Sequence, residues 1–321
     1  MLRKLMLAAM TLLFVAIVTF LLLRVMPGGP FDNPKIPPDV LAMLNRRFYL
    51  DRPLLEQLGF YLRGLFQGDL GPSLVHLNRG VGEILWPAMV VSMMLGGFAL
   101  LLGLPLGVLA AIFVTYASPQ ATVCRVLAQG VNHLMGFILA TPSFVMAGAL
   151  VLLFAVWQHW LPAATLGSFQ VNHLAARQIQ MQYWILPVIS LACMPMATTF
   201  TILRGSLADL KTTPYVHAKK TLGLPPWHIA VHHVLRNAWM PLMALLGPMA
   251  ANILTGSVAV ETIFALPGLG KFFVSAVINR DFTLVMGVTL LYGTLLISLN
   301  LVSELAQGLL DPRLRQAASS G

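Results

Sequence analysis

The sequence predicts an all-α polytopic membrane protein with six transmembrane helices, on three observations. Apolar residues make up 58% of the 321 and charged residues only 10%, with a mean hydropathy of +0.81. That leaves too little polar surface to cover a water-soluble globule of this length. Six apolar runs reach bilayer length, since a hydrocarbon core of about 30 Å takes roughly 20 helical residues. The remaining polar residues are gathered between those runs, which is where a bilayer puts them.

The first run is Leu5 to Leu23. It is longer than the apolar core of a secretory signal and leads into Arg24 and Pro27-Gly28-Gly29-Pro30 without an Ala-x-Ala site, so it is read as a retained span. The second, about Val90 to Tyr116, is placed between an interfacial Trp86-Pro87 and Ser118-Pro119. The third, about Leu134 to Trp157, follows Gln129, Asn132 and His133, which are read as headgroup-level residues. The others are about Tyr183 to Leu203, Pro241 to Phe264 and Leu284 to Leu305. Pro142 and Pro195 are expected to kink or break their helices. Three segments follow: residues 1–26 as the first span, 27–89 as an external segment, and 90–321 as a five-helix core.

Within residues 27–89, PPDVLAMLNRRFYL and PLLEQLGFYLRGLFQ space their apolar residues three and four apart, the signature of amphipathic helices. Pro37-Pro38-Asp39 starts the first, and Gly68 with Gly71-Pro72 ends the second. Such a pair caps an external mouth or rests on the headgroups.

The net charge of +9 falls between apolar runs, where basic residues set topology and meet anionic headgroups, so nucleic acid is excluded as a partner. With the N-terminus inside, the inner segments hold ten Lys/Arg and the short outer ones four. The six in residues 27–89 are set aside, because long loops translocate largely regardless of charge. The bias predicts both termini in the cytoplasm.

The largest polar interruption of the core runs over residues 204–240, with five Lys/Arg (Arg204, Lys211, Lys219, Lys220, Arg236) against one acid, Asp209. A short helix over Tyr215 to Leu222 is expected, ended by Gly223 in a left-handed cap and kept from continuing by Pro225-Pro226. A helix of that length is too short to be stable alone, so it needs a surface to hold it.

Catalytic chemistry is not visible. Leu269-Gly270-Lys271-Phe272 lacks the hydroxyl and the leading glycine of a phosphate-binding loop. His228, His232 and His233 put two imidazoles on one helical face, but no third ligand of the right kind is near, so no metal is assigned. Cys124 and Cys193 have no ligand or pairing pattern. Glu261 is the only acid between Asp209 and Asp281 and lies at the outer end of the fifth run, where an ionisable group either contacts substrate or reaches the interface and pairs with Lys271 or Arg280. A proton-coupled secondary transporter, the rival of a different class, would hold acids or histidines near mid-bilayer, and these runs are almost empty of them.

Taken together, Pro27-Gly28-Gly29-Pro30, Gly68-Asp69-Leu70-Gly71-Pro72-Ser73, the 204–240 loop and ETIFALPGLGKFFVSAVINRD from Glu261 to Asp281 resemble the integral-membrane permease subunits of binding-protein-dependent ABC importers for peptides. The likeness is nearest to the first permease of oligopeptide importers and runs over nearly the whole chain. It implies a type I ABC importer permease fold in the bacterial inner membrane. It also implies a heterodimer with a second permease, two cytoplasmic P-loop ATPases that bind ATP and Mg²⁺, and an extracytoplasmic peptide-binding protein; no cofactor belongs to this chain. Dipeptides, nickel, antimicrobial peptides and small oligosaccharides are substrates of the same wider family.

In such permeases a short helix in the loop before the fifth span couples to the ATPase. The resemblance puts that element on His217-Ala218-Lys219 and Gly223, followed by Leu224, His233, Arg236, Asn237 and Pro241. It departs from the pattern at His217, which replaces an acid, and at Lys219, where a small residue would pack closer. In the outer segment it marks Glu261, Pro267, Gly268, Gly270, Arg280 and Asp281 as a gate or a structural pairing.

Overall fold

The structure, a computed structural model, describes residues 2–26, 28–31, 37–76, 78–117, 121–163 and 181–310. Those residues contain six helices long and apolar enough to cross a membrane, and no β-strand; Pro72 and Gly80 form an isolated antiparallel bridge. A bilayer interior offers backbone groups no water, so each must be satisfied within its own segment, and helices do this.

The chain forms two compact units. The described residues of the first lie within Met1–Ser92 and Leu266–Ile297, and those of the second within Met93–Leu166, Ile179–Ala265 and Ser298–Gly321.

The first unit begins with α1, Leu2–Val25, and two shorter helices, α2, Pro38–Arg47, and α3, Leu54–Phe66. Both shorter helices follow an extended proline, which favours a helix start. Gly68 and Gly71 take φ of +77° and +83° after α3, a left-handed turn that a side chain would strain. The helix α4, Val81–Tyr116, then begins nine residues before the expected Val90. Pro87 and Pro105 lie inside it, each removing one backbone hydrogen bond. Val81, Ile84, Leu85 and Ala88 pack with residues of α10, Leu269–Ile278, and α11, Phe282–Leu310. Apolar residues of α2 close over Phe31, Leu74 and Phe282. Tyr61 of α3 stacks on Phe20 of α1 at 6.0 Å.

In the second unit the third run divides differently from expectation. The span is α5, Thr122–Ala140, not Leu134 to Trp157, so Gln129, Asn132 and His133 sit within a helix. Thr141 before Pro142 is extended, with φ −100° and ψ 121°, as the proline ring demands of its predecessor. A separate helix, α6, covers Ser143–Trp157, its second half wound as a π-helix. Pro142 therefore breaks the run, whereas Pro187 and Pro195 stay inside a continuous α7, Gln182–Lys211. That helix also carries what the sequence assigned to the start of the loop. The fifth span belongs to α9, Leu235–Ile263, which starts before Pro241 and holds Pro241 and Pro248 within it.

Small residues set the packing of α4 on α7. A Cβ on Gly103 would stand 2.6 Å from the carbonyl oxygen of Ala192, and one on Gly107 would stand 2.5 Å from that of Met196. Lipid supplies no hydrophobic force between helices, so contact rests on backbones approaching closely at such small-xxx-small sites. Gly107→Val is therefore expected to destabilise the chain by about 3 kcal/mol, seen as lost monodispersity in detergent. Gly97→Val, with nothing within 4 Å of the added Cβ, is expected to behave as wild type.

Candidate functional site

The 204–240 region is built onto the second unit by buried aliphatic residues. At the end of α7, Lys211 Nζ donates to the Thr115 carbonyl at 2.8 Å and lies 5.3 Å from the Tyr116 ring, tying this helix end to that of α4. Thr213 is extended, and Pro214 opens α8, Pro214–Thr221, at the position where a missing N–H costs least. Val216 is fully buried in a cluster with Leu207, Ile229 and Val234, and Leu224 packs against it. The next two residues, His217 and Ala218, face solvent, and Lys219 is half-buried.

Gly223 has φ +77°, and its N–H donates to the Lys220 carbonyl at 3.0 Å, which closes the helix end. A turn at Pro226–His228 and a π-helical segment, Ile229–Val234, carry the chain into α9. Arg236 and Asn237 occupy the first turn of α9, and Pro241 is exposed within it. The sequence foresaw the short helix within one residue at each end and the left-handed cap; the π-helical segment has no sequence signal that we can identify.

The imidazoles of His228 and His232 stack at 4.3 Å, with ring planes 19° apart. Faces, not ring nitrogens, are brought together, and among the described residues no group of three His, Cys, Asp or Glu is arranged to hold a metal. Desolvation, then the neighbouring Lys219, His228 and His232, push the His233 pKa below its ordinary value. Its neutral form is favoured at neutral pH.

The candidate residues from Glu261 to Asp281 fall in both units. In the second, Glu261 is fully buried in the last turn of α9, inside the protein rather than extended toward solvent. In the first, Pro267, Gly268 and Gly270 are buried around the start of α10, and the Leu269 N–H donates to Ser92 Oγ at 2.9 Å. Arg280 is half-buried with φ +57°.

Asp281 gathers several donors around one carboxylate. It is 1% exposed and caps α11, accepting from the Leu284 N–H at 3.1 Å. The same carboxylate accepts from the Leu74 and Val75 N–H groups at 3.1 and 3.3 Å and from the Ser73 hydroxyl. The Thr283 hydroxyl reaches both the Pro72 carbonyl, at 2.7 Å, and Asp281, at 3.1 Å. Ser73 Oγ in turn accepts from the His76 N–H at 2.8 Å. One buried carboxylate thus fastens the 72–76 turn to the start of α11 across more than 200 residues of chain. Sequence reasoning marked Asp281 and the Gly68–Ser73 motif separately; no local pattern links them.

Buried charge without its donors is costly. Asp281→Asn places an amide N–H₂ against those donors and is expected to loosen the turn by about 2–3 kcal/mol, against about 1 kcal/mol for Ser73→Ala. Trypsin cleavage at the exposed Arg79 should accelerate in that order; equal rates in all three proteins would contradict the arrangement.

Residues 103–316 match the family of the inner-membrane component of binding-protein-dependent transport systems. The oligopeptide transport system permease protein OppB of Haemophilus influenzae is 35% identical over 318 residues, covering 97% of this chain and 98% of that protein. The dipeptide transport system permease protein DppB of Bacillus subtilis is 36% identical over 316 residues, 96% and 94% of the two chains. Among solved structures, the inward-facing MetNI methionine ABC transporter aligns with a TM-score of 0.50 at 18% identity, over 73% of this chain and 96% of that one.

Proposed function

Since the chain belongs to the inner-membrane component family of binding-protein-dependent transport systems, we propose that it is the permease subunit of an ABC importer that moves oligopeptides across the bacterial inner membrane. It pairs with a second permease, receives substrate from an extracytoplasmic binding protein, and is driven by two cytoplasmic ATPases that hold the ATP and Mg²⁺. Both termini face the cytoplasm, as the excess of basic residues on that side favours. The dipeptide reading stands beside it, because a dipeptide permease is as similar as the oligopeptide one.

The observation that supports the reading is a short helix, α8, with an exposed face at His217 and Ala218, on a chain 35% identical to a peptide permease over 97% of its length. Eight residues of helix are too few to persist alone; here Val216 fixes α8 to the unit while His217 and Ala218 point outward. An ATPase cleft that receives this outward face moves the helix, and the buried pivot passes the motion to α7 and α9. Opening of the spans to one side and then the other follows as alternating access.

Substrate length is read by competition. In cells lacking the gene and complemented with it, unlabelled peptides of graded length compete for uptake of a labelled one; inhibition by four- and five-residue peptides supports the oligopeptide reading, and inhibition by dipeptides alone the other. A purified chain that moves substrate on an ion gradient with no ATPase present would overturn both. For the coupling element, Gly223→Pro removes an N–H donor and forbids φ +77°, costing about 3 kcal/mol. The variant should reach the membrane in wild-type amount yet lose at least roughly tenfold in uptake, while Gly223→Ala, with about 1–2 kcal/mol of strain, retains part. Wild-type uptake by Gly223→Pro would sink the coupling role.

A further inference from the structure

Away from α8, the second unit holds a small basic pocket where α4, α5 and α7 meet, with a volume of about 230 Å³. Its polar lining is Arg125, Gln129 and Asn132 of α5 and Arg204 of α7; Val114, Ala117 and Ala128 form the apolar wall. None of these residues is acidic. Arg204 is oriented from two sides, donating Nη1–H to Asn132 Oδ1 at 2.6 Å and lying 6.0 Å from the Phe200 ring. With the Asn132 oxygen committed to that bond, its N–H₂ remains a donor, and Arg204 keeps four further N–H groups. Arg125 and Gln129 make no side-chain hydrogen bond among the described residues. The pocket is thus a concentration of donors and positive charge, with no anion among its lining residues.

Its position says which anion. The α4 span ends at Tyr116 and the α5 span starts at Thr122, so Ala117 and Arg125 stand at a membrane–water boundary, on the same side as the 204–240 loop. Beside the pocket, α5 exposes Val123, Val126 and Leu127 at 70%, 58% and 54%. Those residues are ordinary for contact with acyl chains and unsuited to contact with water. Guanidinium forks match phosphate oxygens bidentately, and a basic pocket between spans on the cytoplasmic side fits an anionic headgroup.

We propose that Arg125, Gln129, Asn132 and Arg204 bind the phosphodiester headgroup of an anionic phospholipid, whose acyl chains lie along the exposed face of α5. Phosphatidylglycerol is the test lipid because its headgroup carries a phosphodiester and no compensating cation, and phosphatidylcholine is its zwitterionic control.

The experiment uses the full-length chain purified in detergent, with phosphatidylglycerol, phosphatidylcholine or inorganic phosphate added and bound species counted by native mass spectrometry. Wild type should hold phosphatidylglycerol in preference to phosphatidylcholine. Arg125→Gln should weaken that binding about fivefold and the Arg125→Gln/Arg204→Gln pair about 25-fold, at about a factor of five for each guanidinium near the surface. Arg125→Lys should recover part of the loss, and Arg46→Gln in α2 should change nothing. Because Arg125 makes no side-chain hydrogen bond among the described residues, its single variant keeps the test valid if loss of Arg204 disturbs the fold.

Three results overturn the proposal. One is equal lipid binding by wild type, Arg125→Gln and the Arg125→Gln/Arg204→Gln pair. Another is displacement of the lipid by millimolar inorganic phosphate, or binding of phosphate alone, which would make the pocket a site for a soluble anion. The third is lipid retained only until a second permease is added, with Arg125 then buried against that subunit, which would make the pocket a protein contact.

Discussion

Every backbone N–H and C=O in a bilayer has to find its partner inside the protein, and the rest of this structure follows from that constraint. It confines the spans to helices, and it then removes the force that would normally pack them, because lipid is as apolar as their side chains. Contact passes to sites where backbones meet: Gly103 and Gly107 of α4 against the carbonyls of Ala192 and Met196 in α7, and Gly247 of α9, whose N–H donates to Ser303 Oγ at 3.1 Å. Four hydroxyl groups within the spans obey the same rule. Ser190, Thr201, Thr289 and Thr294 each donate to the carbonyl four residues earlier, so no partner outside the helix is needed.

Where helices end the constraint returns in another form, since terminal donors and acceptors have no continuing turn to satisfy them. The two units answer it with different chemistry. In the first, a single carboxylate, Asp281, caps α11 and gathers the donors of the 72–76 turn around it. In the second, a cation does the work: Lys211 reaches the Thr115 carbonyl near the end of α4. Both devices join segments distant in sequence, and both use a charge, whose hydrogen bonds are stronger than those between neutral groups.

The number of spans, the two helices between the first two spans and the stop at Gly223 were legible because each rests on local chemistry: run length, three-and-four spacing, and the left-handed φ that glycine takes freely. The ends of spans were not. Trp86-Pro87 reads as an interfacial entry, yet α4 passes through both from Val81, because one forfeited hydrogen bond does not outweigh the packing of Ile84, Leu85 and Ala88. Pro142 does break its run, but α5 extends back to Thr122 through Arg125 and three polar residues that resemble a loop. The Asp281 arrangement was illegible for a different reason: Ser73 and Asp281 have unremarkable neighbours, and only the fold brings them together.

The 204–240 region shows the same division within a few residues. Hydropathy alone marks 204–240 as polar and basic, which reports a side of the membrane and no more. The informative residues are the apolar ones that interrupt it. Val216, Ile229, Ala230 and Val234 are all fully buried, so they determine which face of α8 turns outward, and that face is His217 and Ala218. Lys219 falls between the two sets and is half-buried, and its charge helps hold the His233 imidazole neutral. The lysine that stands where a smaller residue would pack closer thus acts on a neighbouring side chain of its own chain, while His217 and Ala218 are the exposed residues beside it.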